Sequence, residues 1–173
     1  MGNRVFIVSG PPGVGKSSVS SMIASSLPRS ALINGDQVYH MVLGGHKPPW
    51  ESEEQVSLCM KNISDLAVNF LNAGMDVVID FVIFPVEAMA IASTVLNSCN
   101  AETHYAILVA DLSTIRRRDK SRKEKMGSRV EEVLREFAQE KLSDRYSIDT
   151  SSMSPEKISR LILTEDRYVM HGE

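Results

Sequence analysis

The run Gly10-Pro11-Pro12-Gly13-Val14-Gly15-Lys16-Ser17 follows the apolar stretch Val5-Phe6-Ile7-Val8 and has the spacing glycine, four residues, glycine-lysine-serine. This is the pattern of a phosphate-binding loop. Glycines let the backbone curl through positive φ, so that successive N–H groups point inward at phosphate oxygens. Lys16 adds a point charge and Ser17 a hydroxyl suited to Mg²⁺. A helix that starts near Lys16 offers its unpaired first-turn N–H groups, those of Ser17 and Ser18 among them, and the positive end of its dipole to the same phosphates. The pattern means most when strand, loop and helix follow one another. Val19, Ile23, Ala24 and Leu27 supply the helical spacing, and Pro28 ends it. Residues 10–18 are thus the expected nucleotide-binding set.

Working outward, strand-like apolar segments recur at Val5–Val8, Ala31–Ile33, Val77–Ile79, Tyr105–Val109 and Tyr146–Ile148, with helical patterns between nearly all of them. That alternation predicts an α/β fold of three layers, a parallel sheet with helices on both faces. Asp76-Val77-Val78-Ile79-Asp80 is nearly continuous in apolar residues, as a central strand buried on both faces requires. Ser52 and Gln55 form a capping box for a long helix lined by Val56, Ile63, Leu66, Ala67, Phe70 and Leu71, which Gly74 closes as a left-handed cap. Pro85 suits the first turn of the next helix, and Ser154-Pro155 opens the last one, whose buried stripe is Ile158, Leu161 and Ile162.

The chain has 173 residues, enough for one domain over 1–173 with a single core, and no internal repeat. Cys59 and Cys99 have no metal-ligand spacing and are expected as buried thiols, which fits a reducing cytoplasm. No charged segment followed by a long apolar run opens the sequence, and no apolar run reaches the length of a bilayer span, so neither export nor membrane anchoring is expected. A net charge of −3 argues against a general nucleic-acid binder. The cations are nevertheless uneven: Arg116, Arg117, Arg118, Lys120, Arg122, Lys123 and Lys125 crowd one segment.

Ligands of an open parallel sheet gather at the carboxyl ends of its strands, where three acidic residues stand. Asp80 has the form of an aspartate that holds the hydration shell of Mg²⁺ together with Ser17; contact with a substrate, or simple strand termination, are the alternatives. Asp36, after Asn34-Gly35, either takes the proton of an acceptor hydroxyl or caps a helix beginning near Gln37. Asp111 or Ser113 is expected to cap the helix that follows it. Arg118 and Arg122 share a helix face, and Arg129 follows Met126-Gly127-Ser128. They suggest an arginine lid at about 116–130 that neutralises charge on a transferring phosphoryl group; an ordinary basic surface helix has the same pattern. The segment from His40 to Trp50 is the natural acceptor loop, in which His40 and His46 either touch substrate or are structural, and Trp50 either stacks on a ligand or packs beneath the loop.

Together these residues resemble the small bacterial P-loop kinases, a group that includes gluconate kinase, shikimate kinase and chloramphenicol phosphotransferase. Gly35-Asp36, His40-Met41, Gly44-Gly45 with Pro48-Pro49-Trp50-Glu51-Ser52, and Arg118-Asp119 through Arg129 are most similar to a branch that carries a gluconate kinase label. The resemblance implies a five-stranded parallel sheet in the order 2-3-1-4-5, ATP and Mg²⁺ as cofactors, and roles in catalysis for Lys16, Asp36, Arg118, Arg122 and Arg129. It also implies that Asp149-Thr150-Ser151 passes near the adenine ring, so that Thr150 joins the cofactor-binding residues.

The leading expectation is an ATP-dependent kinase acting on a hydroxyl of a small molecule, as a monomer or homodimer in the cytoplasm. An ATP-driven switch protein and a polynucleotide kinase, with 116–125 on nucleic-acid phosphates, are the alternatives. The motifs Asn-Lys-x-Asp and Asp-x-x-Gly of a GTPase switch are absent from the sequence.

Overall fold

Val5, Phe6, Ile7 and Val8 are wholly buried, which a strand achieves only with neighbours on both edges and layers on both faces. A computed structural model, which describes residues 3–120, 135 and 145–170, shows that arrangement. The elements in chain order are β1 (Arg4–Ser9), α1 (Lys16–Ser26), β2 (Ser30–Asn34), α2 (Gly35–Tyr39), α3 (Glu53–Asn72), β3 (Asp76–Asp80), α4 (Pro85–Cys99), β4 (Glu102–Val109), α5 (Leu112–Lys120), β5 (Ser147–Asp149) and α6 (Pro155–Thr164). Every pairing in the five-stranded sheet is parallel, and the strand order is β2-β3-β1-β4-β5. The expected fold and order are therefore both present, with β5 beginning one residue later than its apolar run.

Alternate residues of β1 face opposite layers, as the pleat demands. Val5 and Ile7 join Ile33, Val77, Ile79, Tyr105 and Ile107 against α3 and α4, where Cys59, Ile63, Ala67, Leu71, Ala88, Ile91 and Val95 are buried. Phe6 and Val8 join Val78, Ala106, Leu108 and Ile148 against α1 and α6 through Val19, Ile23, Ile158 and Ile162. Each valine, leucine, isoleucine or phenylalanine among them contributes about 1.5–3 kcal/mol by leaving water. Leu161 of the expected α6 stripe is only partly buried, and Ser159 is buried instead.

The helix signals hold with one revision. The Ser52 hydroxyl accepts from the Gln55 N–H at 3.2 Å and caps α3, but the Gln55 side chain does not return to complete a box. It holds the preceding loop: its amide Nε2 donates to the Gly45 carbonyl at 2.8 Å, and its Oε1 accepts from the Lys47 N–H at 3.1 Å. Gly74 follows α3 with φ of 76°, the left-handed closure that was expected. Pro85 and Pro155 each stand in a first turn, and Ser154 accepts from the Lys157 N–H to cap α6.

Both cysteines are free thiols. Cys59 is buried and its thiol is pushed up to about 11, by burial first and by the Asp36 charge second. Cys99, at the end of α4, is partly exposed; a helix terminus does not have the cover of its middle turns. Among the described residues no helix is long and apolar enough to cross a membrane.

Candidate nucleotide and acceptor site

The loop between β1 and α1 bends through three left-handed glycines, Gly10 at φ 128°, Gly13 at 88° and Gly15 at 103°. Only glycine adopts such angles without strain, so the sequence spacing becomes a backbone cradle. At Gly10 there is a second constraint: a Cβ would stand 2.2 Å from the Leu108 carbonyl oxygen of β4. The Lys16 Nζ folds over the loop and donates to the Pro11 carbonyl at 3.1 Å, which holds its charge across the loop's mouth.

A cavity of about 290 Å³ opens from this cradle. Its polar end is the loop itself with Lys16, Ser17 and Ser18; its far wall is Thr150, Met153, Pro155 and Ile158. One end therefore suits phosphates and the other a flat, largely apolar ring. Thr150 is 1% exposed and is fixed on every side: its N–H donates to the Val109 carbonyl at 2.8 Å, its hydroxyl donates to the Val14 carbonyl at 3.0 Å, and its hydroxyl and carbonyl both accept from Arg118.

Arg118 lies within the site in a way its helical spacing did not disclose. Its Nη1 donates to the Val14 carbonyl at 2.9 Å and to the Thr150 hydroxyl at 3.1 Å, while Nη2 donates to the Thr150 carbonyl at 3.0 Å. Ile115, one turn earlier on the same face of α5, is fully buried beneath the loop, with its Cγ2 3.0 Å from where a Gly13 Cβ would stand. Arg122 and Arg129 lie outside the described residues.

Asp111 caps α5, as expected. It accepts from the Ser113 hydroxyl, from the Thr114 N–H at 2.8 Å and from the Thr114 hydroxyl at 2.7 Å. These donors, Ser113 foremost, hold its carboxyl well below the usual carboxylate range. A group so engaged is structural.

On the other side of β1, Asp80 ends β3 opposite both Val8 and Asn34, and is 5% exposed. Asp36 stands in the first turn of α2 and is exposed. The capping alternative for Asp36 does not hold, because the Asn34 side chain takes that place and accepts from the Gln37 N–H at 3.1 Å. Gly35 is required for a close approach: a Cβ there would stand 2.2 Å from Cγ of Phe81. The two carboxylates thus occupy neighbouring strand ends on the β2–β3 side, and the cavity occupies the β4–β5 side.

The loop after α2 is built rather than loose. Besides the Gln55 bonds, the Tyr39 hydroxyl donates to the Lys47 carbonyl at 2.8 Å, and the His40 and His46 rings lie 5.0 Å apart, both edge-on to Tyr39. Trp50 is 58% exposed in a short 3₁₀ turn, so it is not packed beneath the loop.

No group of three or more candidate metal ligands exists among the described residues. A phosphate-bound Mg²⁺ does not need one, since it takes one or two protein oxygens and completes its shell with water and phosphate. The Ser17 hydroxyl in the cavity wall and the Asp80 carboxylate are oxygen donors of the kind this ion takes.

A parallel sheet in this order, with a glycine cradle and a lysine at the end of its central strand, defines a P-loop protein that binds nucleotide. Residues 5–146 match the AAA domain family, and the chain belongs to it. No curated protein matches the sequence. Solved structures similar in fold include the following three. The tunicamycin resistance protein of Deinococcus radiodurans is 18% identical, with TM-score 0.67 over 92% of this chain and 93% of that one. A gluconokinase from Sinorhizobium meliloti is 17% identical, with TM-score 0.66 over 92% and 89%. The APS kinase CysC of Mycobacterium tuberculosis, in complex with AMPPNP and APS, is 15% identical, with TM-score 0.64 over 93% and 95%. The fold is that of the small P-loop kinases.

Proposed function

We infer that the protein is an ATP-dependent kinase that transfers the γ-phosphoryl group to a hydroxyl of a small molecule. The observation that carries this reading is the division at β1: the cradle and its cavity on one side, the exposed Asp36 carboxylate at a strand end on the other. The similar structures named above as a gluconokinase and an APS kinase support it.

In the proposed reaction the acceptor oxygen attacks the γ-phosphorus, the bond to the bridging oxygen breaks and ADP departs. Asp36 takes the proton of the acceptor hydroxyl. Lys16 and the N-terminus of α1 offset charge on the phosphates. Ser17 and Asp80 would hold Mg²⁺, which supplies further neutralisation of the developing charge. Arg122 and Arg129 are proposed as lid arginines. The two free thiols accord with a cytoplasmic enzyme.

The test is incubation with Mg·ATP and a soluble metabolite extract, followed by mass spectrometry for species that gain one phosphate. The expected product forms with the wild type and not with Lys16→Ala; the same product from both proteins, or no product, would sink the kinase reading. The basic residues from Arg116 to Lys125 favour a second reading, a polynucleotide kinase. Oligonucleotide binding that falls steeply with salt would support it, and no binding at low salt would remove it.

A further inference from the structure

We propose that Arg118 is a positioning residue, a latch that joins the phosphate loop to the base-side wall, and that its guanidinium acts on ATP through Val14 and Thr150. The proposal rests on the nucleotide reading of the cavity and does not depend on which acceptor is used.

Three bonds of one guanidinium converge on two chain segments that are far apart in sequence. Nη1 is shared between the Val14 carbonyl and the Thr150 hydroxyl, and Nη2 takes the Thr150 carbonyl. Thr150 closes the ring by donating its own hydroxyl to the same Val14 carbonyl. Val14 and Thr150 are each 1% exposed, so these contacts sit in a region of low dielectric where charge-assisted bonds are strong. The planar fork of arginine serves two acceptors on one edge; an ammonium offers no such fork.

Geometry assigns the consequence. Val14 belongs to the cradle, and Thr150 leads into Met153, Pro155 and Ile158, the apolar end of the cavity. A nucleoside triphosphate must engage both ends at once, so a fixed spacing between them saves the ordering that binding would otherwise impose. Inorganic tripolyphosphate engages only the cradle. The bend of the cradle is set by its glycines, and Ile115 supports it from below independently of the guanidinium.

The experiment is calorimetric titration of the whole protein with ATP and, separately, with tripolyphosphate. Arg118→Met and Thr150→Val are each expected to weaken ATP by about tenfold, the size of one charge-assisted hydrogen bond, with at most about a twofold effect on tripolyphosphate. Arg118→Lys should resemble Arg118→Met, and Thr150→Ser, which keeps the hydroxyl, should retain the wild-type affinity. The double variant should be no weaker than either single one, because both break one ring. Equal weakening of both ligands by Arg118→Met would overturn the latch in favour of direct phosphate contact. Wild-type affinity for ATP in Arg118→Met would overturn it as well. Wild-type protein that bound neither ligand would overturn the nucleotide reading and the latch together, whereas wild-type protein that bound ATP without phosphorylating any acceptor would overturn the kinase reading alone.

Discussion

At Gly10 even a methyl group has no room, since its Cβ would meet a backbone carbonyl 2.2 Å away and the residue also holds a left-handed φ. Gly10→Ala should therefore cost about 2 kcal/mol or more, read by chemical denaturation. Gly35→Ala meets a side chain instead, the Phe81 ring, and overpacking of this kind costs about 1–3 kcal/mol. Asp111 makes a prediction in pH. Its carboxyl is held below the ordinary range in the folded chain, so its contribution is complete above the unfolded value near 3.8 and is lost as pH falls through the lower folded value. Asp111→Asn should flatten the acid end of a melting-temperature profile. These residues differ in how far sequence revealed them. Asp111 before a helix is a local signal and was legible. Gly35 suggested a turn, but its real constraint is a ring on β3's following loop, which no local pattern encodes. Arg118 was legible as one face of a helix, and its bonds to Val14 and Thr150 were not, because helical spacing fixes a face and says nothing of what that face meets.

Among the elements, α3 separates two functions that one motif was expected to combine. Ser52→Ala removes its cap and should destabilise the protein by about 1 kcal/mol in urea denaturation. Gln55→Ala leaves the cap in place and frees the segment around Gly45 and Lys47, so the change should show as faster limited proteolysis near residues 44–48 with little shift in the urea midpoint. The strands and the longer helices were legible because burial sets their period, two for the sheet faces and 3.6 for the helices, whereas the single-turn elements such as α2 bury too few residues to show one. The capping box was misread for an equally physical reason: the glutamine amide had a better pair of partners in a loop distant by several residues.

On the scale of the molecule, the sheet's two ends behave differently. The P-loop cavity and the carboxylates occupy the carboxyl edge, while the opposite edge is closed by the chain's last described turn. Val169 bridges His104, the Met170 N–H donates to the Thr103 carbonyl at 2.8 Å, and Arg145 donates to the carbonyls of Arg167 and Val169. His104 is buried against Phe6, and burial lowers its pKa although its bond to Glu102 opposes that. The folded chain then takes up its proton later than the unfolded chain does. Stability should be full above about pH 6.5 and decline below it, and His104→Gln should remove that decline between about pH 6.5 and the lower folded value. Overall topology was legible because the cradle fixed β1 and the resemblance fixed the order of its neighbours. The burial of a histidine at the far edge was not, since it depends on where the chain's end returns.

Trp50 is the sole indole in the chain, and it stands in water on a loop anchored by Tyr39 and Gln55. The protein thereby carries an intrinsic optical label at a single address, with no background from its core. Emission excited at the indole edge will report solvent, quenchers and contacts at that loop alone, without dye, tag or substitution.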